Sequence, residues 1–511
     1  MHDGAGYTVM EYVGGTSLKG ILNDRRRAAG HHDPLPVDQA LAYVLEVLPA
    51  FAYLHDKDLL FCDFKPDNVI QQGDGVKLID LGGVRRTDDY EAAIYGTVGY
   101  QAPEISELGP SVASDIYTIG RTLATLVLDF RGNTSTYVAS LPPVDDTPVF
   151  QRYDSFYRLL SKACAADPSD RFATVDEMRA QVLGVLREVV ATDRGPGTAG
   201  LHSAASVLFD SPRADVASRP LSWDELPTLR IDESDPCASW LAGVNVVDPD
   251  ARLRALDAAP TASTEVLLAR ARAAVEAERY DVARAAVQQL LKDDPWEWRA
   301  AWMDGLCDLS AGDPAGAAAA FNAVYGQVPG ELAPKLALAT ACELSGESGV
   351  ADSLYRICAR TDANYSAPAA FGLARIRQDE GDLDGALEAL DQVGSTRGSY
   401  VDARVRRARL LAASGRGLPA LDDALASIGS VPVPIDERTG LEVEALTSAL
   451  DVILADGPEP DLSVGGHPAT EAGVRDGLES ALRRLAAHTD DPTDRVDLID
   501  RANGVRRWTL R

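Results

Sequence analysis

A period of 34 residues runs through the second half of the chain and constrains what it can fold into more than any other feature. Glu278, Gly312, Gly346, Gly381 and Gly415 stand 34, 34, 35 and 34 residues apart. Seven residues before each stands a small residue: Ala271, Gly305, Ala339, Ala374 and Ala408. Five residues after each comes Ala283, Ala317, Ala351, Ala386 or Ala420, and four further on Val287, Phe321, Tyr355, Leu390 or Ala424. Small residues at fixed offsets let paired helices approach closely, and the Gly (Glu278 in the first unit) turns the chain between them. Pro295 and Pro329 close the first two units. One such hairpin cannot bury its apolar face alone, so neighbours must stack. The period predicts an array of helix hairpins over 263–430. Residues 431–511 read as helical without the period and are expected to cap the array.

This spacing resembles the tetratricopeptide repeat. The first 188 residues have a different texture, with short β-rich pieces between helices. "YTVMEYV" is strand-like, and "VIQQGDGVKLIDLGG" reads as a hairpin turning at Gly73-Asp74-Gly75. "VDQALAYVLEVLPAFAYLHD" and "SDIYTIGRTLATLVLDF" read as buried helices, with Asp38 and Ser114 near their starts as caps. Between the two halves, 189–262 contains "RGPGTAG" and "DAAPTAST" and is expected to be a linker, with Trp223 and Leu226 available to dock on a neighbour.

At 511 residues the chain is multidomain. A net charge of −29 argues against a general nucleic-acid or anionic-membrane binder, since both need basic surface. The six cysteines form no C-x-x-C pair, which excludes a zinc ribbon or redox motif and points to reduced thiols in the cytoplasm. The start "MHDGAGYTVMEYVGG" has no basic region followed by an apolar one, so no signal peptide is expected there. The longest apolar stretch, "ALAYVLEVLPAFAYLH", is interrupted by Glu46 and Pro49 and reads as a core helix rather than a membrane span.

The chemistry concentrates in "FCDFKPDNV". Phosphoryl transfer to a hydroxyl needs a carboxylate to take its proton, a cation on the moving phosphate and oxygen ligands for magnesium. The run Asp63-Phe64-Lys65-Pro66-Asp67-Asn68 resembles a protein-kinase catalytic loop: Asp63 as base, Lys65 at the γ-phosphate, Asn68 as a magnesium ligand. Twelve residues on, Asp80-Leu81-Gly82 resembles the D-F-G motif, with Asp80 as the second metal ligand. Ala102-Pro103-Glu104 resembles A-P-E, and Arg171 in "DPSDRF" the arginine that pairs with that glutamate. Asp115 in "SDIYTIG" resembles the buried aspartate behind the catalytic loop. Each match is weak alone; six in order are specific. Lys65 two residues after Asp63, with Thr97 in "GTVGY", is the serine/threonine pattern. "VMEYVGG" fits the hinge: Met10 as gatekeeper, the Glu11 carbonyl and Val13 amide on adenine, and Ile70 beneath the ring.

The expected fold is therefore multidomain and mainly α: a partial, protein-kinase-like C-lobe (α+β) over 1–188, then an α-solenoid. That combination, with "IDLGGVRR", "YGTVGYQAPE", "PGELAPKLALATACELSG" and "AAFGLAR", resembles the actinobacterial protein kinase G family. The resemblance implies a soluble serine/threonine kinase using ATP and Mg2+. It also implies a forkhead-associated-domain regulator of glutamate metabolism as substrate, and repeats that bind partners or homodimerise. The rubredoxin-like module that family members usually carry has C-x-x-C pairs that this sequence lacks, so redox control through it is not assigned. The sequence starts at the hinge, without a Gly-rich loop or its lysine, which leaves two readings: a piece of a longer active kinase, or an inactive lobe whose repeats serve as a scaffold. Cys62 stands where an arginine often reads activation-loop phosphate, so activity is expected not to depend on phosphorylation between Asp80 and Glu104, although Thr87 and Thr97 offer hydroxyls.

Overall fold

Helices α1 (Leu18–Ala29) and α2 (Val37–His55) are the first two helices among the described residues. The computed structural model describes residues 12–89, 96–194, 206–213 and 218–507. By length and composition α2 is the one helix among the described residues that could cross a membrane. Helices α3 (Ile105–Leu108), α4 (Val112–Val127), α5 (Pro148–Arg152), α6 (Asp154–Ala163) and α7 (Val175–Arg194) follow, and the α2 side chains Leu41, Leu48 and Phe51 are fully buried in a core shared with α4 and α7. Burial of three such side chains contributes about 1.5–3 kcal/mol each.

Two expected caps fall elsewhere. Ser111, not Ser114, caps α4: its backbone is extended, and its hydroxyl accepts from Ser114 N while Ser114 Oγ accepts from Ser111 N. Ser114 is already inside the first turn, where it can only complete the reciprocal box. Helix α2 starts after Pro36, and Asp38 lies in its first turn, accepting from Gln39 N.

The sheets are small, and their connections hold the site. Strands β1 (Thr16–Ser17), β3 (Val69–Gln72) and β4 (Gly75–Leu78) form an antiparallel sheet in the order β1-β3-β4. Gln72 faces Gly75 across a two-residue turn, and Gly73 takes the positive φ of 63° that such a turn needs. Strands β2 (Leu59–Leu60) and β5 (Arg85–Arg86) pair with each other. Residues 61–68 thus link β2 to β3, and 79–84 link β4 to β5, which brings the two loops side by side. The strand-like "YTVMEYV" lies outside the described residues except for Tyr12 and Val13, which carry no strand.

The chain divides into two units: Met1–Ala199 with Ser206–Asp210 and Leu229–Leu338, and Gly200–Ala205 with Ser211–Thr228 and Ala339–Arg511. The first holds the helix pairs Thr264–Glu276/Tyr280–Asp293 and Trp298–Ser310/Pro314–Gln327. The second holds Ala363–Asp379/Leu383–Asp391 and Tyr400–Ala413/Leu418–Gly429; the division falls within Ala333–Ser345, the partner of Ser348–Thr361. All five periodic turning residues have left-handed backbone, from Glu278 at φ 57° to Gly346 at 84°. A Cβ on Gly305 would lie 2.5 Å from the Phe321 ring, so the small residue seven before the turn makes room for the large one nine after it. The stretch expected as a linker carries helices Ala238–Leu241 and Pro249–Leu256, with Leu253 and Leu256 buried, and Phe209 packs 4.9 Å from Trp302. Buried apolar side chains inside a Gly/Pro-rich texture explain why the described part of this stretch packs as it does. Beyond 430, helices Ile435–Asp456, Glu471–His488 and Pro492–Val505 are joined by a hairpin the sequence reading lacked, β6 (Glu459–Val464) with β7 (His467–Ala469).

Within the first unit, the second repeat, through Tyr325, and the start of the third, through Lys335, are joined to the kinase lobe. Lys335 Nζ lies 2.9 Å from Glu188 Oε2, with side chains 0% and 4% exposed. Ser155, on α6 (Asp154–Ala163), donates to Glu188 at 2.7 Å and accepts from Tyr325 Oη at 2.7 Å. Burial holds the Tyr325 phenol well above its usual range, so it stays a donor. Gly330 N donates to Gln181 Oε1, and a Cβ on Gly184 would meet Gly330 O at 2.2 Å. Removing one partner of a buried ion pair costs about 3–5 kcal/mol, because the other charge is left bare. Lys335→Met is therefore expected to destabilise the protein by about that amount in urea unfolding. The double variant Lys335→Met/Glu188→Gln is expected to recover most of it.

Candidate active site

The loop after β2 is held from behind by one carboxylate. Asp115, on α4 and 0% exposed, accepts from Phe61 N (2.8 Å), Cys62 N (2.8 Å) and His55 Nε2 (3.0 Å). The imidazole faces an acceptor-only group, so Nε2 carries the proton. Thr122, two turns along α4, donates to Phe64 O at 3.0 Å. Phe64 packs edge to face against Phe51 and Phe61, and Phe51 packs tilted against Phe61, with centroids 5.2–6.2 Å apart, which seats the loop on α2. These contacts hold Cys62 in a left-handed conformation (φ 69°) that a non-glycine residue seldom adopts. Burial, and next the Asp115 carboxylate, push the Cys62 thiol up to about 12.

On the exposed side, Asp63, Lys65 and Thr97 form a closed triangle. Lys65 Nζ lies 2.6 Å from Asp63 Oδ2 and 2.9 Å from Thr97 Oγ1, and Thr97 donates to Asp63 Oδ1 at 2.7 Å. The Asn68 amide nitrogen donates to Asp63 O at 2.8 Å, and Asn68 sits in a 3-10 turn, Pro66–Asn68. Ile79 N donates to Asn68 O, which places Asp80 beside it. Asp80 has φ 62°, accepts from Gly82 N and is exposed. A Cβ on Gly83 would lie 3.1 Å from Phe61 O and 3.4 Å from Asp63 Cβ, so the "DLGG" turn rests directly on the catalytic loop. With its nitrogen committed to Asp63, Asn68 has its amide oxygen left as ligand. With the Asp80 carboxylate this makes a hard-oxygen donor set that suits Mg2+.

Glu104 and Arg171 form a bidentate pair (2.7 and 2.8 Å), and the guanidinium also reaches Ala165 O and Ala113 O. Of the nucleotide residues expected from sequence, Ile70 lies half-buried on β3 opposite Ser17, and Val13 is half-buried outside any strand. Glu11, like Met10, lies outside the described residues. Sequence reading missed His55, Thr122 and Arg121. His55 braces Asp115 from the end of α2, Thr122 holds Phe64 O from α4, and Arg121 gathers backbone carbonyls. "YLH" at the end of α2 was the available signal for His55.

A carboxylate braced by a lysine and a threonine, beside two oxygen donors and on a lobe of this topology, defines the catalytic half of a serine/threonine protein kinase, here joined to helix-hairpin repeats. Comparison with known proteins agrees: residues 2–182 match the family described as "Protein kinase domain", and 222–509 match "Protein kinase G tetratricopeptide repeat". The chain is 39% identical to serine/threonine-protein kinase PknG of Mycobacterium leprae, over 99% of this chain and 69% of that protein. It is equally 39% identical to PknG of Mycolicibacterium smegmatis, over 98% and 68%. Similarity to PknB of Mycobacterium leprae, 31%, covers 42% of the chain. The chain belongs to the PknG family of serine/threonine protein kinases.

Two measurements check this geometry. Asp115→Asn loses charge-assisted hydrogen bonds of about 1.5–3 kcal/mol, and kcat is expected to fall about 10- to 100-fold. At pH 8 a thiol near 12 is ionised in only about one molecule in 10⁴. Cys62 is therefore expected to resist iodoacetamide in the native protein and to react after denaturation, as peptide mass mapping would show.

Proposed function

We propose that Asp63, Lys65, Asn68 and Asp80 form the phosphotransfer centre, and that the protein transfers the γ-phosphate of ATP to Ser or Thr of a protein substrate. The closed Asp63–Lys65–Thr97 triangle carries this reading. Asp63 orients the acceptor hydroxyl and takes its proton through the second lone pair of a carboxylate oxygen already braced by Lys65 or Thr97. Lys65 neutralises charge gathering on the transferred group. Asn68 and Asp80 would hold Mg2+, which supplies charge neutralisation at the phosphates. Glu11 and Val13 bind adenine through backbone, and Ile70 packs below it. Thr97, Glu104, Asp115 and Arg171 keep the segment and loop in register.

By family resemblance the acceptor is a small forkhead-associated-domain regulator of glutamate and 2-oxoglutarate metabolism in the cytoplasm. The repeats over 263–430 recruit partners or a second copy of the chain.

Asp63→Asn is expected to lower kcat by about 10²- to 10⁴-fold while ATP affinity stays within a few-fold, measured by radiolabel transfer and by equilibrium titration with Mg2+ and ATP. Full retention of transfer, or loss of nucleotide binding, would contradict the roles assigned. Thr87→Ala is expected to keep activity within about twofold, because Cys62 offers no cation to a phosphate there.

A further inference from the structure

A cavity of about 1470 Å³ lies within the first unit, and none of Asp63, Lys65, Asn68 and Asp80 lines it. Its walls are the stretch around Val207 and Leu229, the start of α7, and the turn that joins the first repeat hairpin to the second at Asp294–Glu297. Small-molecule sites run to about 300–1,000 Å³, so this volume suits a length of polypeptide better than a compact ligand.

One wall is an open strand edge. Phe209 and Leu229 pair in an antiparallel bridge, and Arg230 N donates to Leu208 O. Backbone direction alternates along an extended segment, so Leu229 and Ile231 turn their N–H and C=O groups to the side away from that partner. Among the described residues those groups make no hydrogen bond. Both residues line the cavity, and the side chains of Ile231, Val207 and Trp296 stand 50%, 71% and 50% exposed on it. An open edge beside exposed apolar side chains is the surface that a strand added from another chain covers.

Charge selects the occupant. Lys162, Arg171, Arg230 and Arg299 line the cavity, and each is held in an ion pair, with Glu177, Glu104, Asp210 and Glu265 in turn. The lining carboxylates of Asp232, Glu233 and Asp294 belong to no ion pair among the described residues. Asp232 and Asp294 accept only from groups of their own turns, at Ser234 and Trp296. Such a wall repels an acidic segment and attracts Lys or Arg. Ile231 and Asp232 are adjacent, so in an extended segment they point to opposite faces. The complementary strand therefore alternates apolar and basic residues.

We propose that this groove docks an extended basic segment of a partner protein, added as a strand along Leu229–Ile231. Its apolar side chains rest on Ile231, Val207 and Trp296, and its Lys or Arg side chains meet Asp232, Glu233 and Asp294. The site lies apart from the phosphotransfer centre and does not depend on the kinase reading.

The test is fluorescence anisotropy of short labelled peptides against the full chain. The probes are a peptide alternating Val and Lys, its isomer with Val and Lys in separate blocks, an alternating Val and Glu peptide, and the Val and Lys peptide N-methylated at every Val. The alternating Val and Lys peptide is expected to bind about tenfold or more tighter than each of the other three. Trp296→Ala should weaken it about tenfold. Glu233→Lys/Asp294→Lys, which changes two exposed side chains, should weaken it by at least as much and raise the affinity for the Val and Glu peptide. Binding of Mg2+ and ATP should stay the same in both variants, which shows that they are folded. Equal binding of the alternating and block peptides would reduce the effect to general attraction by a chain of net charge −29 and overturn the inference. Undiminished binding of the N-methylated peptide, an unchanged affinity in the double variant, or no saturable binding of the alternating Val and Lys peptide would overturn it as well.

Discussion

Everything about the site depends on one buried carboxylate. Asp115 has no access to water, and it meets the loop through Phe61 N and Cys62 N and the end of α2 through His55. A buried anion is tolerable only when its lone pairs are filled, so its presence obliges the loop to bring both amides inward. With the backbone turned that way, Asp63 faces out, Cys62 takes an otherwise unfavourable φ and Phe61 and Phe64 drop into the aromatic cluster. Helix α4 is thus a rod along which Asp115, Arg121 and Thr122 set residues 61–64 and the Thr97–Gln101 turn from one rigid element.

The lobe is fixed from its other end as well. Lys335 and Glu188 are buried together, Tyr325 meets Ser155, and Gly184 and Gly330 bring two backbones within contact distance, so the second repeat and the start of the third share a core with helices α6 and α7. Close backbone approach admits no side chain between, and a buried ion pair cannot slip register without exposing a bare charge. Kinase lobe and first repeats therefore behave as one folding unit rather than as beads on a linker, consistent with Phe209, Leu253 and Leu256 being buried in the intervening stretch.

What was legible in the sequence follows a physical pattern. The period at Glu278, Gly312, Gly346, Gly381 and Gly415 could be read because a left-handed turn between helices recurs at the same place in every repeat. The residues brought together at Asp63, Lys65, Asn68 and Asp80 were legible because phosphoryl transfer demands those side-chain types at short spacings. The hairpin at Gly73-Asp74 was legible from turn chemistry. The helix caps were misplaced by one turn at α4, because Ser111 and Ser114 carry the same hydroxyl and only backbone dihedrals distinguish cap from partner. His55, Thr122 and Arg121 were not legible. His55 and Thr122 lie about 60 residues from the atoms they hold, and Arg121 binds carbonyls that every residue possesses. The β6–β7 hairpin beyond the repeats escaped notice because "LSVGGHPA" is short and polar.

By itself the sequence determined the repeat architecture, the kinase family and the serine/threonine pattern, and singled out Asp63, Lys65, Asn68 and Asp80, since these are matters of residue type at local spacing. Only the tertiary structure decided how the loop at Asp63 is held, that Cys62 is buried beside Asp115, that the described part of 206–262 carries helices with buried side chains, and that the second repeat and the start of the third are bonded to the lobe. Each of these depends on groups far apart in the chain meeting in a space from which water is excluded. There an unpaired polar atom is costly, and the fold that pairs them all is the one adopted.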